Sequence, residues 1–253
     1  MDTERIMFLK VPIDIVPPEE LPNIISGFLA SAENPDDVSS GNGQNIVLLS
    51  LSDLLRARRK GEYRNYVLNA ALVVPISKSI VSGVRFLLKK EVVRYMPFNF
   101  VISILSLLEK KEHSLYLLGN KIRILKKAER NIHTTFPRLK IVGRYEGVMR
   151  KHEGAVLEAI RKASPSLLLA GKGIRKEELW IARNSARINS GIRLWCSDLF
   201  DVFADKRRRP SDAVFEKGLE SLVFCLRNPL RVFRIFPYFR YKLLLLLYKI
   251  FKW

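Results

Sequence analysis

Two close pairs of carboxylates are the residues in this sequence best suited to proton transfer. Glu177 and Glu178 open a helix-like pattern, and Asp198 and Asp201 follow an apolar run of the kind that forms a strand. Carboxylates at such places can act as general bases or bind sugar hydroxyls. They also have structural uses, since acidic residues interact favourably with a helix dipole and an aspartate often caps a helix. The structural uses are the simpler interpretation, and the chemical ones stay open.

Four glycines that follow strand-like runs form a second candidate group: Gly119, Gly143, Gly171 and Gly173. In an open parallel sheet, ligands bind at the carboxyl ends of the strands, where the start of the next helix can take a phosphate. Glycine also serves simply to make a tight turn, and for any one of the four the two interpretations are equally good. The segment from Gly171 to Gly173 lacks the third glycine of a dinucleotide-binding motif, so that motif is not met.

Arginines in the last fifth of the chain could bind phosphate groups. Residues 206–210 form a dense cationic run that includes Arg208, and Arg227, Arg231 and Arg234 then recur at helical spacing. The guanidinium group presents a planar fork of donors that matches phosphate oxygens. These arginines therefore predict a diphosphate-binding surface, with a solvated helix face as the alternative.

The chain ends in a segment with a strongly sided pattern. If residues 240–253 form a helix, then Lys242, Lys249 and Lys252 lie within an arc of about 80°, and the rest of the surface is almost entirely leucine, isoleucine and aromatic. Trp253 suits the headgroup level of a membrane. The pattern predicts a helix that lies in the membrane interface. A core helix whose lysines form its wet edge is the alternative.

The composition and net charge of the whole chain indicate its domain organisation and the class of its partners. The chain has 253 residues, 48% hydrophobic and 27% charged, which suits one large folded domain or a domain with an appendage. Its net charge of +19 points to an anionic partner such as nucleic acid, anionic lipid or a phosphorylated substrate. Residues 206–253 hold 12 Lys and Arg against 3 Asp and Glu, a net +9. We therefore predict a main domain over residues 1–205 and a basic, membrane-docking appendage over residues 206–253.

Cysteine and histidine are scarce. The two cysteines exclude a disulfide scaffold and a cysteine-built zinc site, and the three histidines argue against a histidine-rich metal site. Cys196 has the surroundings of a small buried hydrophobe. The chain begins without the basic start and long apolar run of a secretory signal, and no run reaches the roughly 18 apolar residues of a spanning helix. We expect a cytoplasmic protein that uses no metal ion and no cofactor.

The elements that must position these residues alternate between short apolar runs and longer helical patterns. Several runs are continuously apolar, as strands buried on both faces are. Helical patterns cover residues 121–136, 150–162 and 175–189, and a loop covers residues 33–45. This alternation predicts an α/β fold with a Rossmann-like, mostly parallel sheet, helices on both faces and the basic helical appendage. The predicted strands are residues 6–11, 45–50, 71–75, 114–118, 139–142, 166–170 and 192–196.

Several segments carry motifs with a characteristic order and spacing, namely residues 117–119, 136–147, 164–184, 200–210 and 218–234. The clearest is residues 136–147, which read FPRLKIVGRYEG. Together these motifs resemble those of the WecG/TagA/CpsF family of glycosyltransferases. The resemblance covers about residues 6–234.

The resemblance implies an inverting transferase that moves a sugar, typically of N-acetylmannosamine type, from a UDP donor to a lipid-diphosphate-linked acceptor without a metal ion. The family's appendage docks on the bilayer and brings arginines over the active site. The expected partners are a UDP-sugar, a lipid-diphosphate-linked acceptor and an anionic surface at the inner face of the cell membrane; a homo-oligomer stays open. The resemblance places donor binding at Gly119, Gly143, Tyr145, Gly171, Gly173, Glu177 and Glu178, and diphosphate binding at Arg208, Arg227, Arg231 and Arg234.

One departure from the family concerns its catalytic motif. The family has Pro-Asp-Gly where this chain has Pro-Ile-Ser at residues 75–77. The family's proposed general base is that aspartate, and the side chain of Ile76 cannot accept a proton. The candidates to replace it are Asp201, Asp198 and Glu177, which the sequence does not rank. Ser77 is a further catalytic candidate that could orient an acceptor hydroxyl but is a poor base.

Three functions follow from these observations. The first is a membrane-associated glycosyltransferase with an altered pocket. The second is a catalytically inactive homologue that acts as a scaffold or regulator at the membrane, which the loss of the family's aspartate favours. The third is nucleic-acid binding, which the net charge alone suggests. The basic segment over residues 206–253 argues against nucleic acid, because its cations are interleaved with leucine and phenylalanine rather than with polar and stacking residues.

Overall fold

The structure is a computed structural model. It describes residues 3–31, 43–149, 152–209, 211–218 and 236–251. Several predicted features lie outside these ranges, namely Arg227, Arg231, Arg234, Lys252, Trp253 and most of the predicted loop over residues 33–45.

Six strands form one parallel sheet with the order β4-β3-β8-β7-β5-β6. All four residues of β4 and all four of β7 are buried, as the continuous apolar runs predict. The sheet confirms the predicted fold class. Its strands are β3 (Gln44–Leu49), β4 (Leu72–Pro75), β5 (Ser114–Leu118), β6 (Lys140–Tyr145), β7 (Leu167–Ala170) and β8 (Ile192–Trp195).

Helices cover both faces of the sheet. Leu115 and Leu117 of β5 pack on one face, whereas Tyr116 and Leu118 pack on the other, because successive side chains of a strand alternate. The first face carries α1, α5, α6 and α9, and the second carries α2, α3, α4, α7 and α8. The helices are α1 (Leu21–Ser31), α2 (Leu51–Ala57), α3 (Glu62–Leu68), α4 (Lys78–Leu88), α5 (Pro97–Lys110), α6 (Ile122–Thr135), α7 (Glu153–Ala163), α8 (Glu178–Arg183), α9 (Leu199–Phe203), α10 (Asp212–Lys217) and α11 (Phe236–Phe251).

The predicted strand over residues 6–11 is confirmed only over residues 6–8, and it does not belong to the main sheet. The chain instead forms an antiparallel hairpin outside the main sheet, with β1 at Glu4–Phe8 and β2 at Val11–Ile15. Its two turn residues, Leu9 and Lys10, have φ of 50° and 68°. Two-residue hairpin turns need such positive φ values, which are usually supplied by Asn and Gly. Neither residue type is present here, so the sequence gives no signal for the turn.

The side chain of Asp14 in β2 ties the hairpin to the edge of the main sheet. Asp14 is buried and accepts a hydrogen bond of 2.6 Å from the backbone N–H of Val73 in the edge strand β4. The guanidinium of Arg5 donates to both carboxylate oxygens, over 2.7 and 2.9 Å, and to the carbonyls of Ala70 and Ala71. The buried charge is therefore both paired and hydrogen-bonded.

The predicted helix over residues 175–189 is shorter in the structure. Lys176 and Glu177 have φ of 64° and 54°, which a helix does not allow, so α8 begins only at Glu178. It ends at Arg183, and a separate 3₁₀ turn follows at Ser185–Arg187. The predicted helix over residues 121–136 is confirmed as α6, and the one over residues 150–162 corresponds to α7.

The helix α11 packs on the main domain along one side and exposes apolar residues along the other. Tyr241 is 3% exposed, and its hydroxyl donates a hydrogen bond of 2.7 Å to the carbonyl of Ser79 in α4. The exposed apolar stripe consists of Phe236, Phe239, Leu243, Leu246, Leu247, Ile250 and Phe251. Within the described residues, none of the helices combines the length and hydropathy needed to cross a bilayer. The division into a main domain and an appendage stays a prediction.

The helices α4 and α11 are in close contact at Gly83. A Cβ there would overlap the Tyr241 hydroxyl and lie 2.8 Å from Phe8 Cζ. We expect Gly83→Ala to lower the free energy of unfolding by about 1–3 kcal/mol, because an overpacked contact must shift. Gly27→Ala in α1 is the control, since nothing lies within 4 Å of its Cβ position and alanine favours helix by about 0.5–1 kcal/mol. Urea denaturation measures both, and equal stability of the two variants would contradict the α4–α11 contact.

Candidate functional site at the carboxyl ends of the strands

The direction in which successive strands are added to the sheet reverses between β5 and β7. The strand β5 continues through α6 to β6 on one side, whereas β7 continues through α8 to β8 on the other. Neighbouring strands with diverging connections leave a crevice beyond their carboxyl ends, and ligands of open α/β sheets bind there. Gly119 follows β5 and Gly171 follows β7, so two of the predicted donor-binding glycines lie at this crevice.

The turns at the crevice pack backbone against backbone. Gly119 has a φ of 120°, and a Cβ on it would lie 2.5 Å from the carbonyl oxygen of Gly171. The N–H of Gly171 donates to the carbonyl of Leu118 over 2.8 Å, and the N–H of Gly119 donates to that of Tyr145 over 2.9 Å. Packing therefore requires glycine at both positions, and the positive φ of Gly119 fits the tight-turn interpretation there, whereas at Gly171 a Cβ would meet the ring of Phe200. Donor binding at them stays a prediction.

The other two predicted glycines differ from each other. Gly173 is exposed at the crevice with a φ of 95°. Gly143 was expected at a strand end, and that placement is wrong, because β6 continues to Tyr145. A Cβ at Gly143 would overlap the ring of Tyr116 in β5, so this glycine makes room for an aromatic side chain on the sheet. Tyr145 is the last residue of β6 and is half-buried.

A buried carboxylate lies at the floor of the crevice. Asp201 of α9 is 4% exposed and forms an ion pair with Lys172, the residue between Gly171 and Gly173. The side-chain amide of Asn120 donates to it over 3.2 Å, and Lys206 Nζ lies 3.8 Å away. Burial alone would raise the pKa of Asp201, but the hydrogen bonds from Lys172 and Asn120 outweigh it. The pKa lies below its ordinary value, so the carboxylate is ionised and paired at neutral pH.

Asp198 joins the same charge network instead of capping α9. It occupies the N-cap position but makes no capping hydrogen bond with its side chain. Its carboxylate lies 2.5 Å from Arg207 and 3.2 Å from Lys172. The helix-capping interpretation is therefore wrong for Asp198. The network joins the turns after β5, β7 and β8, and Arg208 is exposed in the segment that follows.

The second carboxylate pair is divided between core and surface. Glu178 is 5% exposed and forms an ion pair with Arg56 of α2, whose guanidinium lies 4.0 Å from the ring centre of Tyr63. Burial raises the pKa of Glu178 above its ordinary value, against the charge of Arg56. Glu177 is exposed. Glu178 therefore links α8 to α2, and of the two glutamates Glu177 has the better access to a ligand.

Residues 75–77 lie at the carboxyl end of β4, two strands away from β8. Arg94 donates to the carbonyl of Ile76 over 3.0 Å, donates to the carbonyl of Phe215 in α10, and stacks 3.8 Å from the ring centre of Phe215. Lys78 donates to the carbonyl of Glu216 over 2.8 Å. The helix α10 is thereby held beside the end of β4, next to Ser77 at the start of α4.

Sequence reasoning missed the cations and the amide that organise these sites. Lys172 had a usable signal, because it stands between two glycines that were already singled out. Asn120 likewise follows Gly119 directly. Arg56 and Arg94 had none, since their partners are distant in the chain. Cys196 is buried, and burial raises the pKa of its thiol, as expected for a small hydrophobe. Among the described residues, no three His, Cys, Asp or Glu side chains are grouped as a metal ion requires.

A sequence model of the Glycosyl transferase WecG/TagA/CpsF family matches residues 6–253. The chain belongs to this family. Among the relatives is the N-acetylglucosaminyldiphosphoundecaprenol N-acetyl-beta-D-mannosaminyltransferase of Bacillus subtilis (strain 168), which is 21% identical over 185 residues, covering 73% of this chain and 72% of that protein. The predicted family and the predicted glycosyltransferase class are confirmed. For a member of this family, the crevice beyond β5 and β7 is the candidate site for a nucleotide-sugar donor.

Removing the cation from the buried pair tests the charge network. We expect Lys172→Met to lower the free energy of unfolding by about 1–3 kcal/mol, because the buried Asp201 carboxylate loses its main partner. The control is Lys127→Met, which breaks an exposed pair of 3.4 Å with Asp205 and should cost about 0–1 kcal/mol. Urea unfolding at pH 7 measures both, and equal losses would contradict the network.

The pH dependence of stability gives a second measure of the same variant. Because the folded-state pKa of Asp201 is lowered, its carboxylate stabilises the fold above the unfolded value of about 3.9. That stabilisation is lost as the pH falls through the folded value. In Lys172→Met the folded pKa of Asp201 rises towards or above the unfolded value, so the variant should lose less stability than the wild type as the pH falls below about 4. An unchanged acid limb would contradict the pairing.

Proposed function

We propose that the protein transfers an N-acetylhexosamine, with N-acetylmannosamine as the first choice, from its UDP derivative to a sugar linked by diphosphate to a polyprenol. The reaction would serve cell-surface polysaccharide synthesis at the inner face of the cell membrane. The family supports the transferase class, and the mannosaminyltransferase of Bacillus subtilis supports the choice of sugar and acceptor. The crevice at the point where β5 and β7 diverge carries the proposal, since it is where an α/β sheet of this order binds a nucleotide.

In the proposed reaction, a hydroxyl oxygen of the acceptor attacks carbon 1 of the donor sugar as the bond from that carbon to the UDP oxygen breaks. The hydroxyl proton leaves to a base, and UDP leaves with the negative charge. Asp201 is a poor base, because its pKa is lowered and Lys172 holds it. Asp198 is also engaged by cations. Stabilising the departing diphosphate is therefore the larger contribution, and the arginines of the appendage are suited to it.

Ser77 and Glu177 have roles in the proposal that differ from those of the paired aspartates. Ser77 lies at the start of α4 without a capping hydrogen bond from its side chain, so its hydroxyl can orient the acceptor but is a weak base. Glu177 is exposed near the turn that carries Gly173 and is suited to binding a donor hydroxyl. Gly173 and Tyr145 border the same crevice as the paired aspartates.

Membrane docking through α11 is the second part of the proposal. Its exposed apolar stripe lies opposite the side that packs on α2 and α4, and the exposed Lys242 and Lys249 lie between the two. Apolar residues next to lysines are suited to an interface with anionic lipid. The alternative of a core helix accounts for Tyr241 but not for the exposed stripe.

A catalytically inactive scaffold is the second candidate function. One observation favours it: Ile76 stands where the family has its proposed base, and its carbonyl is bound by Arg94. A scaffold would keep the donor crevice and the membrane contact but would not transfer sugar.

The transfer assay decides between these functions. We expect the purified full chain to extend an N-acetylglucosaminyl-diphospho-prenol by one N-acetylmannosamine from the UDP donor, as seen by mass spectrometry. Arg231→Gln with Arg234→Gln should lower kcat at least 100-fold, because charge on the leaving diphosphate loses its partners. Arg85→Gln, an exposed arginine of α4, is the control and should leave kcat unchanged. Binding of the UDP-sugar without any transfer would favour the scaffold.

Vesicle sedimentation tests the membrane contact. Replacing Leu243 and Ile250 together by Glu should weaken binding to phosphatidylglycerol vesicles at least tenfold, because two apolar side chains of the stripe can no longer enter the interface. The control is Val142→Glu, which changes an exposed apolar residue of the edge strand β6. Retention of duplex DNA is measured over the same salt series. Binding to DNA as tight as binding to vesicles would contradict the membrane assignment.

A further inference from the structure

An apolar groove runs between α4 and α11. Its walls are one face of α4, from Ser79 to Phe86, and one face of α11, from Tyr238 to Leu246. In both helices the lining residues recur three and four positions apart, as residues on a single helix face do. The groove has a volume of about 440 Å³, within the range of about 300–1,000 Å³ that small-molecule sites have.

The groove begins near Ser77, at the carboxyl end of β4, where the acceptor is proposed to be oriented. The helix α4 starts at Lys78, directly after the carboxyl end of β4, and Ser79 at the start of the groove is two residues beyond Ser77. The groove then follows α4 away from that end to Phe86. A ligand with its reacting end near Ser77 can therefore place an attached chain along the groove.

The lining is suited to a hydrocarbon chain that carries an anionic head. Lys242 is the charged residue among the described lining residues, and the rest of the lining is mostly aliphatic and aromatic. The ammonium of Lys249 lies 4.3 Å from the ring centre of Phe86, at the end of the groove away from Ser77. Leu246 both lines the groove and belongs to the exposed stripe of α11. A chain leaving the groove there enters the surface proposed to face the bilayer.

The contact at Gly83 fixes the distance between the two walls. Because Gly83 has no side chain, the Tyr241 hydroxyl reaches the carbonyl of Ser79. The groove is thus formed by packing within the protein and does not need a ligand to open it. A preformed site spares the ligand the cost of ordering the protein on binding.

We propose that this groove holds the isoprenoid units nearest the diphosphate of the acceptor, while the remainder of the polyprenyl chain lies in the bilayer. The assignment rests on the proposed function, because it takes the acceptor to be a prenyl diphosphate. It makes α4 and α11 a binding site for the lipid itself, distinct from the donor crevice at β5 and β7 and from the outward-facing stripe of α11.

The test uses the full chain, without vesicles and below the critical micelle concentration of its detergent. Calorimetry compares three probes: inorganic diphosphate, geranyl diphosphate and geranylgeranyl diphosphate. We expect geranylgeranyl diphosphate to bind at least tenfold more tightly than inorganic diphosphate, with geranyl diphosphate between them. Ser82→Trp and Leu246→Trp fill the groove. Each should lower the affinity for geranylgeranyl diphosphate at least tenfold while keeping the affinity for inorganic diphosphate. Ser103→Trp, at an exposed serine within α5, controls for adding an indole to a helix.

The outcomes separate the groove from the reaction. Equal affinity of the three probes for the wild type would overturn the groove assignment, and so would a chain-length gain that survives in both filled variants or is lost equally in Ser103→Trp. Sugar transfer is measured separately on the same preparations. A wild type that shows the chain-length gain but transfers no sugar would overturn the proposed reaction and uphold lipid binding in the groove.

Discussion

The close approach of the backbone at Gly119 and Gly171 is the constraint on which the candidate site depends. No side chain fits between the turns after β5 and β7, so the two turns lie in direct contact. That contact sets Asn120 beside Lys172, and both side chains then reach Asp201 on α9. The buried carboxylate of Asp201 thereby connects the turns after β5 and β7 to α9. A ligand that entered the crevice would meet side chains whose charges are already paired and held in place.

The helix α4 contacts both α10 and α11. At its start, Lys78 and the nearby Arg94 hold α10 beside Ile76. Ser79, also at its start, and Gly83, one turn further along, receive Tyr241 of α11. The end of β4 and the two C-terminal helices are therefore closely joined. A contact with lipid at α11 and a contact with substrate at β4 would act on the same helix.

Much of the sheet was predictable because several strands, such as β4 and β7, are buried on both faces and read as continuous apolar runs. The hairpin at residues 4–15 was not predictable, because its turn gives Leu9 and Lys10 positive φ values, which leucine and lysine rarely adopt. The same cause shortened α8, where Lys176 and Glu177 both have positive φ. Gly143 was misplaced because the sequence does not show that β6 runs on to Tyr145.

The candidate site was predictable only in part. Gly119, Gly171 and Gly173 could be placed at strand ends from the alternation of elements, and they lie together at the crevice, whereas Gly143 lies within β6. The charges around them could not be assigned, because the partners of Asp201 come from segments 29 and 81 positions away. A pairing across such distances is decided by the packing of the sheet. The sequence therefore indicated a candidate site but not which carboxylates are already paired with the protein's own cations.

The buried carboxylate of Asp14 has a consequence for self-association. The strand β4 is an edge of the sheet, and a free edge is a template on which another chain can add a strand. Asp14 already takes the N–H of Val73, and Arg5 takes the carbonyls of Ala70 and Ala71 just before the strand begins. An incoming strand would find these groups engaged and a salt bridge in its way. The sheet is thereby protected from growing into an aggregate through β4, so two copies of the chain would have to meet through another surface.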